Sequence, residues 1–153
     1  MTERKDHADV KIHPPILLFI HLVALYLLNR LLPFVFPNIL VWAGYLLVLV
    51  GLGLAFNAVT QFIRAHTTLD PHGSVSEIVT DGVYRFSRNP IYLGFVCLLI
   101  GFSFIFRSWW GLILSPLFIV LMNALVIQYE EVYLEKKFGE MYTGYKSRVR
   151  RWL

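Results

Sequence analysis

Polar side chains recur at helical spacing within otherwise apolar stretches of this sequence. Asn57, Gln61 and Arg64 fall at i, i+4 and i+7, so they share one helix face. Asn123 and Glu130 are seven residues apart and share a face in the same way. Polar groups inside a membrane usually face other helices and mark a functional path, although some only form interhelical hydrogen bonds. We predict that both sets face one polar pocket.

A second candidate site combines aromatic and basic residues from Tyr84 to Tyr92. This run leads into an apolar stretch that begins at Pro90, and proline suits the first turn of a helix. Backbone N–H groups at a helix start can hold a carboxylate or a polar group of a cofactor. The alternative is an interfacial belt in which Arg85 and Arg88 contact lipid headgroups.

The composition indicates that a lipid bilayer surrounds this chain. Of the 153 residues, 57% are hydrophobic and 16% are charged, against about half and a quarter in soluble domains. The length predicts a single domain, residues 1–153. The net charge of +4 does not indicate nucleic-acid binding, because the charges lie between apolar stretches. His66, Asp70 and His72 lack metal-ligand spacing and Cys97 is the single cysteine, so we expect no metal site.

Four apolar stretches are long enough to cross a hydrocarbon core about 30 Å thick, which takes roughly 17–25 helical residues. They cover about residues 14–36, 38–62, 90–106 and 109–128. Strand-like alternation is absent, and an open sheet cannot satisfy its backbone in lipid. The sequence therefore predicts an all-α integral membrane protein with about four transmembrane helices. Small residues in the second and third stretches predict close helix packing: Gly51, Ala55, Gly94, Cys97 and Gly101.

The distribution of basic residues predicts the orientation in the membrane. Of the 14 Lys and Arg residues, all but Arg30 and Arg107 lie on one side of the four spans, including Arg4 and Lys5. The positive-inside rule then makes both termini, the loop 63–89 and the segment 129–153 cytoplasmic. In that last segment apolar residues recur every three or four positions, which predicts an amphipathic helix, or two short ones hinged near Gly139 and Gly144.

Two motifs in the second half of the chain resemble the isoprenylcysteine carboxyl methyltransferase family, which is related to the membrane phospholipid methyltransferases. The first is Thr80-Asp-Gly-Val-Tyr-Arg-Phe-Ser-Arg-Asn-Pro-Ile-Tyr-Leu-Gly94. The second is Glu130-Glu-x-x-Leu-x-x-x-Phe-Gly-x-x-Tyr-x-x-Tyr145. The resemblance covers the chain from about Phe62 to its end and depends on both motifs flanking a helical hairpin.

The resemblance implies S-adenosylmethionine as the cofactor, bound between the loop before the hairpin and the segment after it. The positions that match the family's cofactor contacts are Ile78, Val79, Tyr84, Asn89, Pro90, Ile91, Tyr92 and Glu130. Thr67 and Thr68 match an earlier polar contact more loosely. Two positions depart from the family pattern: Asn89 replaces a histidine, and Val126 replaces a substrate-side arginine of the eukaryotic enzymes.

The implied reaction is methyl transfer at the cytoplasmic face to a lipophilic acceptor that enters from the bilayer, most like carboxyl O-methylation of a prenylated cysteine. We expect Tyr92, Arg88 and Glu130 to be catalytic, and the acceptor to be bound by Asn57, Gln61, Arg64 and Asn123. Tyr84, Tyr92 and Tyr142 are expected as aromatic partners of the sulfonium cation. The alternatives are a phospholipid N-methyltransferase and a non-enzymatic assembly or transport protein of the membrane.

Overall fold

The computed structural model describes residues 6–68 and 73–153, and these residues form six α-helices. The helices are α1 (Pro14–Leu31), α2 (Val41–Arg64), α3 (Pro90–Ile105), α4 (Trp109–Met122), α5 (Gln128–Phe138) and α6 (Glu140–Arg148). Short 3₁₀ turns cover Asn38–Leu40 and Gly82–Arg85, and the π-helical turn Asn123–Ile127 joins α4 to α5. Four residues named in the charge and metal predictions lie outside the described residues: Arg4, Lys5, Asp70 and His72.

Three helical segments are long and apolar enough to cross a membrane, namely Pro14–Leu31, Asn38–Arg64 and Trp109–Phe138. Helix α3 is apolar but shorter, with 16 residues, or about 24 Å at 1.5 Å per residue. Large apolar side chains face outward along these helices; Trp42 is 82% exposed and Phe56 is 73% exposed. An apolar exterior of this extent requires lipid around it. The prediction of an all-α integral membrane protein is confirmed.

Two of the predicted span boundaries differ from the structure. The first span ends at Leu31 rather than at 36, because residues 34–36 pair with the turn between α3 and α4. In that pairing Phe36 N–H donates to the Arg107 carbonyl at 3.1 Å, and Trp109 N–H donates to the Phe34 carbonyl at 2.9 Å. The fourth helical segment does not stop at 128 but continues through the π-helical turn to Phe138.

Helices α2 and α3 approach each other closely along paired glycines. A Cβ atom added at Gly51 would lie 2.7 Å from the carbonyl oxygen of Gly94, and one at Gly44 would lie 2.7 Å from that of Gly101. No larger residue fits at these crossings, because the neighbouring group is backbone. The predicted role of Gly51, Gly94 and Gly101 in close packing agrees with these distances. This packing brings the C-terminal half of α2 next to the N-terminal half of α3.

The N-terminal segment runs across the junction of α4 and α5. Backbone N–H of Lys11 donates to the Leu125 carbonyl at 2.9 Å, inside the π-helical turn, where the wider winding leaves carbonyl groups available. Ala8 and Val10 are buried. Near its start, Asp6 accepts hydrogen bonds from Lys137 Nζ at 2.7 and 2.9 Å and also pairs with the Ser74 hydroxyl. The N-terminal segment thus covers one side of α5 and of the π-helical turn that precedes it.

Candidate functional site

A cavity of about 880 Å³, counting the space at its open mouth, lies where α3, α5 and α6 meet the loop after α2. Apolar and aromatic side chains form most of its wall, and a few charged groups converge on it. Binding sites for small molecules usually have this mixture of apolar walls and a few polar groups. The residues that line the cavity include Glu77, Ile78, Tyr84, Arg88, Tyr92, Glu130, Glu131, Tyr142 and Tyr145.

Glu130 enters the cavity from the first turn of α5. Its Oε1 atom accepts a hydrogen bond of 2.6 Å from the Tyr92 hydroxyl, which projects from the first turn of α3. Within the described residues no salt bridge of Glu130 is found, so the carboxylate keeps acceptor capacity toward the cavity. A carboxylate in this position can accept hydrogen bonds from an ammonium or a hydroxyl group of a ligand.

Glu131 is a neighbouring carboxylate with a different environment. Its side chain is 8% exposed and accepts two hydrogen bonds from Arg151, Nε to Oε1 at 3.0 Å and Nη2 to Oε2 at 2.6 Å. Arg88 Nη1 lies 3.1 Å from Oε1, and Lys146 Nζ lies 3.8 Å from Oε2. Acidic side chains at the end of an apolar helical segment need cationic or hydrogen-bonding partners, and both carboxylates have them.

Arg88 presents a nearly buried cation to the cavity. Its side chain is 10% exposed and lines the cavity wall beside Glu131. The Nε and Nη1 atoms are shielded from water, and neither makes an aligned hydrogen bond to any residue that the structure describes. Buried donors without an aligned hydrogen bond are rare in folded proteins, and a bound anion could accept from this guanidinium in addition to its ion pair with Glu131.

Asn89 contacts the C-terminal tail. Its Nδ2 group donates to the Arg151 carbonyl at 2.9 Å, and its backbone N–H donates to the Ser87 hydroxyl at 3.1 Å. Asn89 also lines the cavity. An amide suits this position because it donates a hydrogen bond at every pH, whereas a histidine donor depends on tautomer and charge.

Three tyrosines line one wall of the cavity and stay protonated. Burial raises the pKa of Tyr142 to about 12 and raises the pKa of Tyr84 and Tyr145 well above the usual range. The Tyr145 hydroxyl donates to the Tyr84 carbonyl at 2.8 Å, which holds α6 against the Gly82–Arg85 turn. Neutral aromatic rings of this kind can contact a sulfonium or ammonium cation.

The structure brings together most of the residues predicted to bind a cofactor or to act in catalysis. Ile78, Val79, Tyr84, Arg88, Asn89, Ile91, Tyr92 and Glu130 all line the cavity. Pro90 is buried directly behind them at the start of α3. Their roles toward a ligand stay predictions.

The residues predicted to bind the acceptor lie outside this lining, as far as the described chain shows. Asn57 and Arg64 are exposed on α2. The side chain of Gln61 packs against Gly82, so closely that a Cβ atom added to Gly82 would lie 2.5 Å from Gln61 Nε2. Asn123 Oδ1 accepts from Trp152 Nε1 at 3.3 Å and from Arg151 Nη1 at 3.4 Å. Their acceptor-binding role is a prediction that the geometry does not test.

Several lining residues were not predicted as site residues. Tyr133 follows Glu130 by three positions and therefore shares its helix face, a spacing that could have identified it. Ala8 and Glu77 also line the cavity. Both lie in segments without periodicity, so the sequence carries no signal for them.

Comparison with known proteins identifies relatives of this chain. The phospholipid methyltransferase family model matches residues 39–141, about two thirds of the chain. The chain is 28% identical over 107 residues to the protein-S-isoprenylcysteine O-methyltransferase of Schizosaccharomyces pombe, covering 63% of this chain and 45% of that protein. It is 34% identical over 73 residues to protein-S-isoprenylcysteine O-methyltransferase B of Arabidopsis thaliana, covering 48% of this chain and 37% of that protein.

The chain thus spans less than half the length of the two named methyltransferases that it matches. It is also 50% identical over 46 residues to an uncharacterized protein of Haemophilus influenzae, covering 30% of this chain and 68% of that protein. No solved structure matches. The relationship expected from the two motifs is confirmed.

Proposed function

Because this chain belongs to the phospholipid methyltransferase family, we propose that it transfers a methyl group from S-adenosylmethionine to the carboxylate of a lipophilic, membrane-embedded acceptor. The acceptor would be most like an S-prenylated cysteine, as the names of the two methyltransferase relatives suggest. The observation that carries this proposal is the convergence of Glu130, hydrogen-bonded to Tyr92, and Arg88, paired with Glu131, on one cavity.

The residues of the cavity fit S-adenosylmethionine. Its wall combines apolar and aromatic side chains with a few charged groups, which suits a ligand that carries both an adenine ring and charged groups. Glu130 would accept hydrogen bonds from the amino or ribose groups, and Ile78, Val79 and Ile91 would contact the apolar surface of the adenosine. When bound, the cofactor supplies a methyl group activated by the positive charge of its sulfonium.

Arg88 supports a carboxylate as the acceptor group. Val126, at the position of the family's substrate-side arginine, is fully buried in the π-helical turn and offers no charge. Arg88 lines the same cavity with a nearly buried guanidinium. A guanidinium binds a carboxylate through two parallel N–H groups, which fixes the orientation of both oxygens as well as their charge.

The contribution of the protein to the reaction is positioning and electrostatics. A carboxylate is already a nucleophile and needs no general base, so Arg88 has only to orient one oxygen toward the methyl group. Tyr84 and Tyr142, neutral at physiological pH, would contact the sulfonium with their rings. Tyr92 holds Glu130 in place on the other wall.

The membrane arrangement supports an acceptor with an apolar tail. We propose that both termini, the loop 63–89 and the cavity are cytoplasmic, since the basic residues cluster on that side of the spans. The cavity lies at the ends of α2 and α3 next to their exposed apolar surfaces. A prenyl chain can therefore stay in the bilayer while its polar end reaches the cavity.

The test is methyl transfer by the purified full-length chain in lipid nanodiscs, with S-adenosylmethionine labelled in its methyl group. An S-prenylated N-acetylcysteine with a free carboxylate is expected to become labelled in a base-labile ester. Phosphatidylethanolamine in the same nanodiscs is the competing acceptor. Label in base-stable N-methylated lipid without ester product would replace the proposal with phospholipid N-methylation, and no cofactor binding by calorimetry would favour the non-enzymatic alternative.

A further inference from the structure

The C-terminal tail, residues 149–153, lies along the segment that carries Arg88. Backbone N–H of Arg88 donates to the Arg150 carbonyl at 3.0 Å. The Arg151 carbonyl accepts from the Ser87 hydroxyl at 3.3 Å and from Asn89 Nδ2 at 2.9 Å. Three successive residues before α3 are thus hydrogen-bonded to the tail, which fixes the backbone of Arg88.

The side chain of Arg151 extends this contact to the back of the cavity. It holds Glu131 through two parallel hydrogen bonds, and this contact raises the pKa of Arg151 further, so the guanidinium is charged at every accessible pH. The far end of the tail is anchored because Trp152 Nε1 and Arg151 Nη1 both donate to Asn123 Oδ1. Arg151 therefore lies between the π-helical turn and Glu131.

Glu131 is the single carboxylate within ion-pair distance of both Arg88 and Arg151 among the described residues. Arg151 donates two strong hydrogen bonds to the carboxylate oxygens of Glu131. The contact between Glu131 and Arg88 is less well aligned than the contact between Glu131 and Arg151. If Arg151 were absent, Glu131 could form its own bidentate pair with Arg88. That pair would neutralise Arg88 and turn its donors away from the cavity.

We infer that Arg151 is a positioning residue: by holding Glu131 it keeps the charge and the donors of Arg88 available for the acceptor carboxylate. The inference rests on the proposed function, because it assumes that Arg88 binds that carboxylate. It assigns to the tail a part in acceptor specificity. Arg151 touches neither the acceptor nor the cofactor in this arrangement.

The test compares Arg151→Ala with Arg150→Ala, a matched control that removes the same charge from the adjacent, exposed side chain. Arg151→Ala is expected to raise the KM for the prenylated carboxylate by about 10- to 100-fold, the usual cost of misplacing a binding group from a distance. The Kd for S-adenosylmethionine and kcat at saturating acceptor should change less than about twofold. Arg151→Lys, which keeps the charge but loses the bidentate geometry, should give an intermediate KM.

A binding readout separates positioning from general destabilisation. The wild-type chain should bind the prenylated carboxylate more tightly than its uncharged carboxamide, and Arg151→Ala should lose that preference while binding the carboxamide unchanged. If Arg151→Ala does not fold, the ratio of carboxylate to carboxamide affinity can be measured in Arg151→Lys instead. An unchanged ratio and KM, or equal losses for carboxylate, carboxamide and cofactor, would overturn the inference. Failure of the wild-type chain to methylate any carboxylate would instead overturn the proposed function.

Discussion

The Tyr92 hydroxyl donates a hydrogen bond of 2.6 Å to Glu130 Oε1, and this contact joins the first turn of α3 to the first turn of α5 across the cavity. The two residues are 38 positions apart and come from the two motifs that flank the helical hairpin. The hairpin therefore brings both motifs to one site. Each residue of the pair can be tested separately.

Glu130→Gln should weaken S-adenosylmethionine binding by about 10- to 100-fold, since a hydrogen bond to a charged group contributes about 1.5–3 kcal/mol. Tyr92→Phe should weaken it less, by about 3- to 10-fold, because it removes only the group that holds Glu130. Isothermal calorimetry on both variants measures the difference. Unchanged cofactor affinity in Glu130→Gln would refute the assigned role.

Arg88→Gln should raise the KM for a prenylated carboxylate by about 10- to 100-fold with little change in cofactor affinity, because the charged bidentate partner is lost. Glu131 keeps its pair with Arg151, so the variant should still fold. Arg85→Gln is the matched control, since Arg85 lies three residues away and pairs with Asp81 at the exposed surface. Initial-rate kinetics should distinguish Arg88→Gln from Arg85→Gln. Similar KM values for the acceptor in both variants would exclude acceptor recognition by Arg88.

Gly51→Leu should destabilise the chain by about 1–3 kcal/mol or more, because its side chain would enter space already occupied by the Gly94 backbone. Gly53→Leu on the same helix has open space around it and should be neutral or slightly stabilising, since leucine favours helix. Thermal unfolding in detergent, followed by tryptophan fluorescence, compares the two. Equal melting temperatures would show that α2 and α3 do not pack through these glycines.

The contact of the N-terminal segment with α5, made through Asp6, should depend on pH only under acidic conditions. Hydrogen bonds from Lys137, and then from Ser74, lower the pKa of Asp6 to about 2, from an ordinary value of 3.8. A lowered carboxyl pKa stabilises the folded contact above the unfolded pKa and loses that effect as the pH falls through the folded value. Amide hydrogen exchange of residues 6–11 should be equally protected at pH 7 and pH 5, after correction for intrinsic rates.

Asp6→Asn removes this charge and provides the comparison at neutral pH. Exchange protection of residues 6–11 should fall in the variant at pH 7, while protection within α3 should stay as in the wild-type chain. Protection of residues 6–11 that already decreases between pH 7 and pH 5 in the wild type would mean that a group other than Asp6 controls the attachment.

The membrane-spanning architecture could be predicted because lipid imposes a strong constraint on sequence. Apolar runs and paired glycines such as Gly51 and Gly94 identify the helices and their closest crossing. The end of the fourth helical segment was harder to predict, because a membrane span is expected to stop at charged residues such as Glu130 and Glu131. Their partners Tyr92 and Arg151 make a helical continuation to Phe138 possible.

The cavity was predictable where motifs marked it and not where tertiary contacts alone create it. Tyr84, Asn89 and Tyr92 follow from the resemblance. Helix periodicity placed Asn123 on the face of Glu130, but it could not show that Asn123 binds Trp152 and Arg151, because the π-helical turn and the fold of the tail have no local signal. Ala8 lines the cavity in a segment that is attached through the backbone hydrogen bond from Lys11 N–H to the Leu125 carbonyl, and the sequence has no signal for this contact either.

The shortness of α3 has a consequence for the surrounding lipid. A helix of 16 residues, about 24 Å long, is held at two glycine crossings against the longer α2 and cannot tilt independently of it. We therefore expect the hydrocarbon beside α3 to be several ångströms thinner than the usual ~30 Å. Lipid headgroups are then expected to lie closer to Asn89 and Tyr92, so membrane thickness should influence how deeply the polar end of an acceptor lies before it enters the cavity.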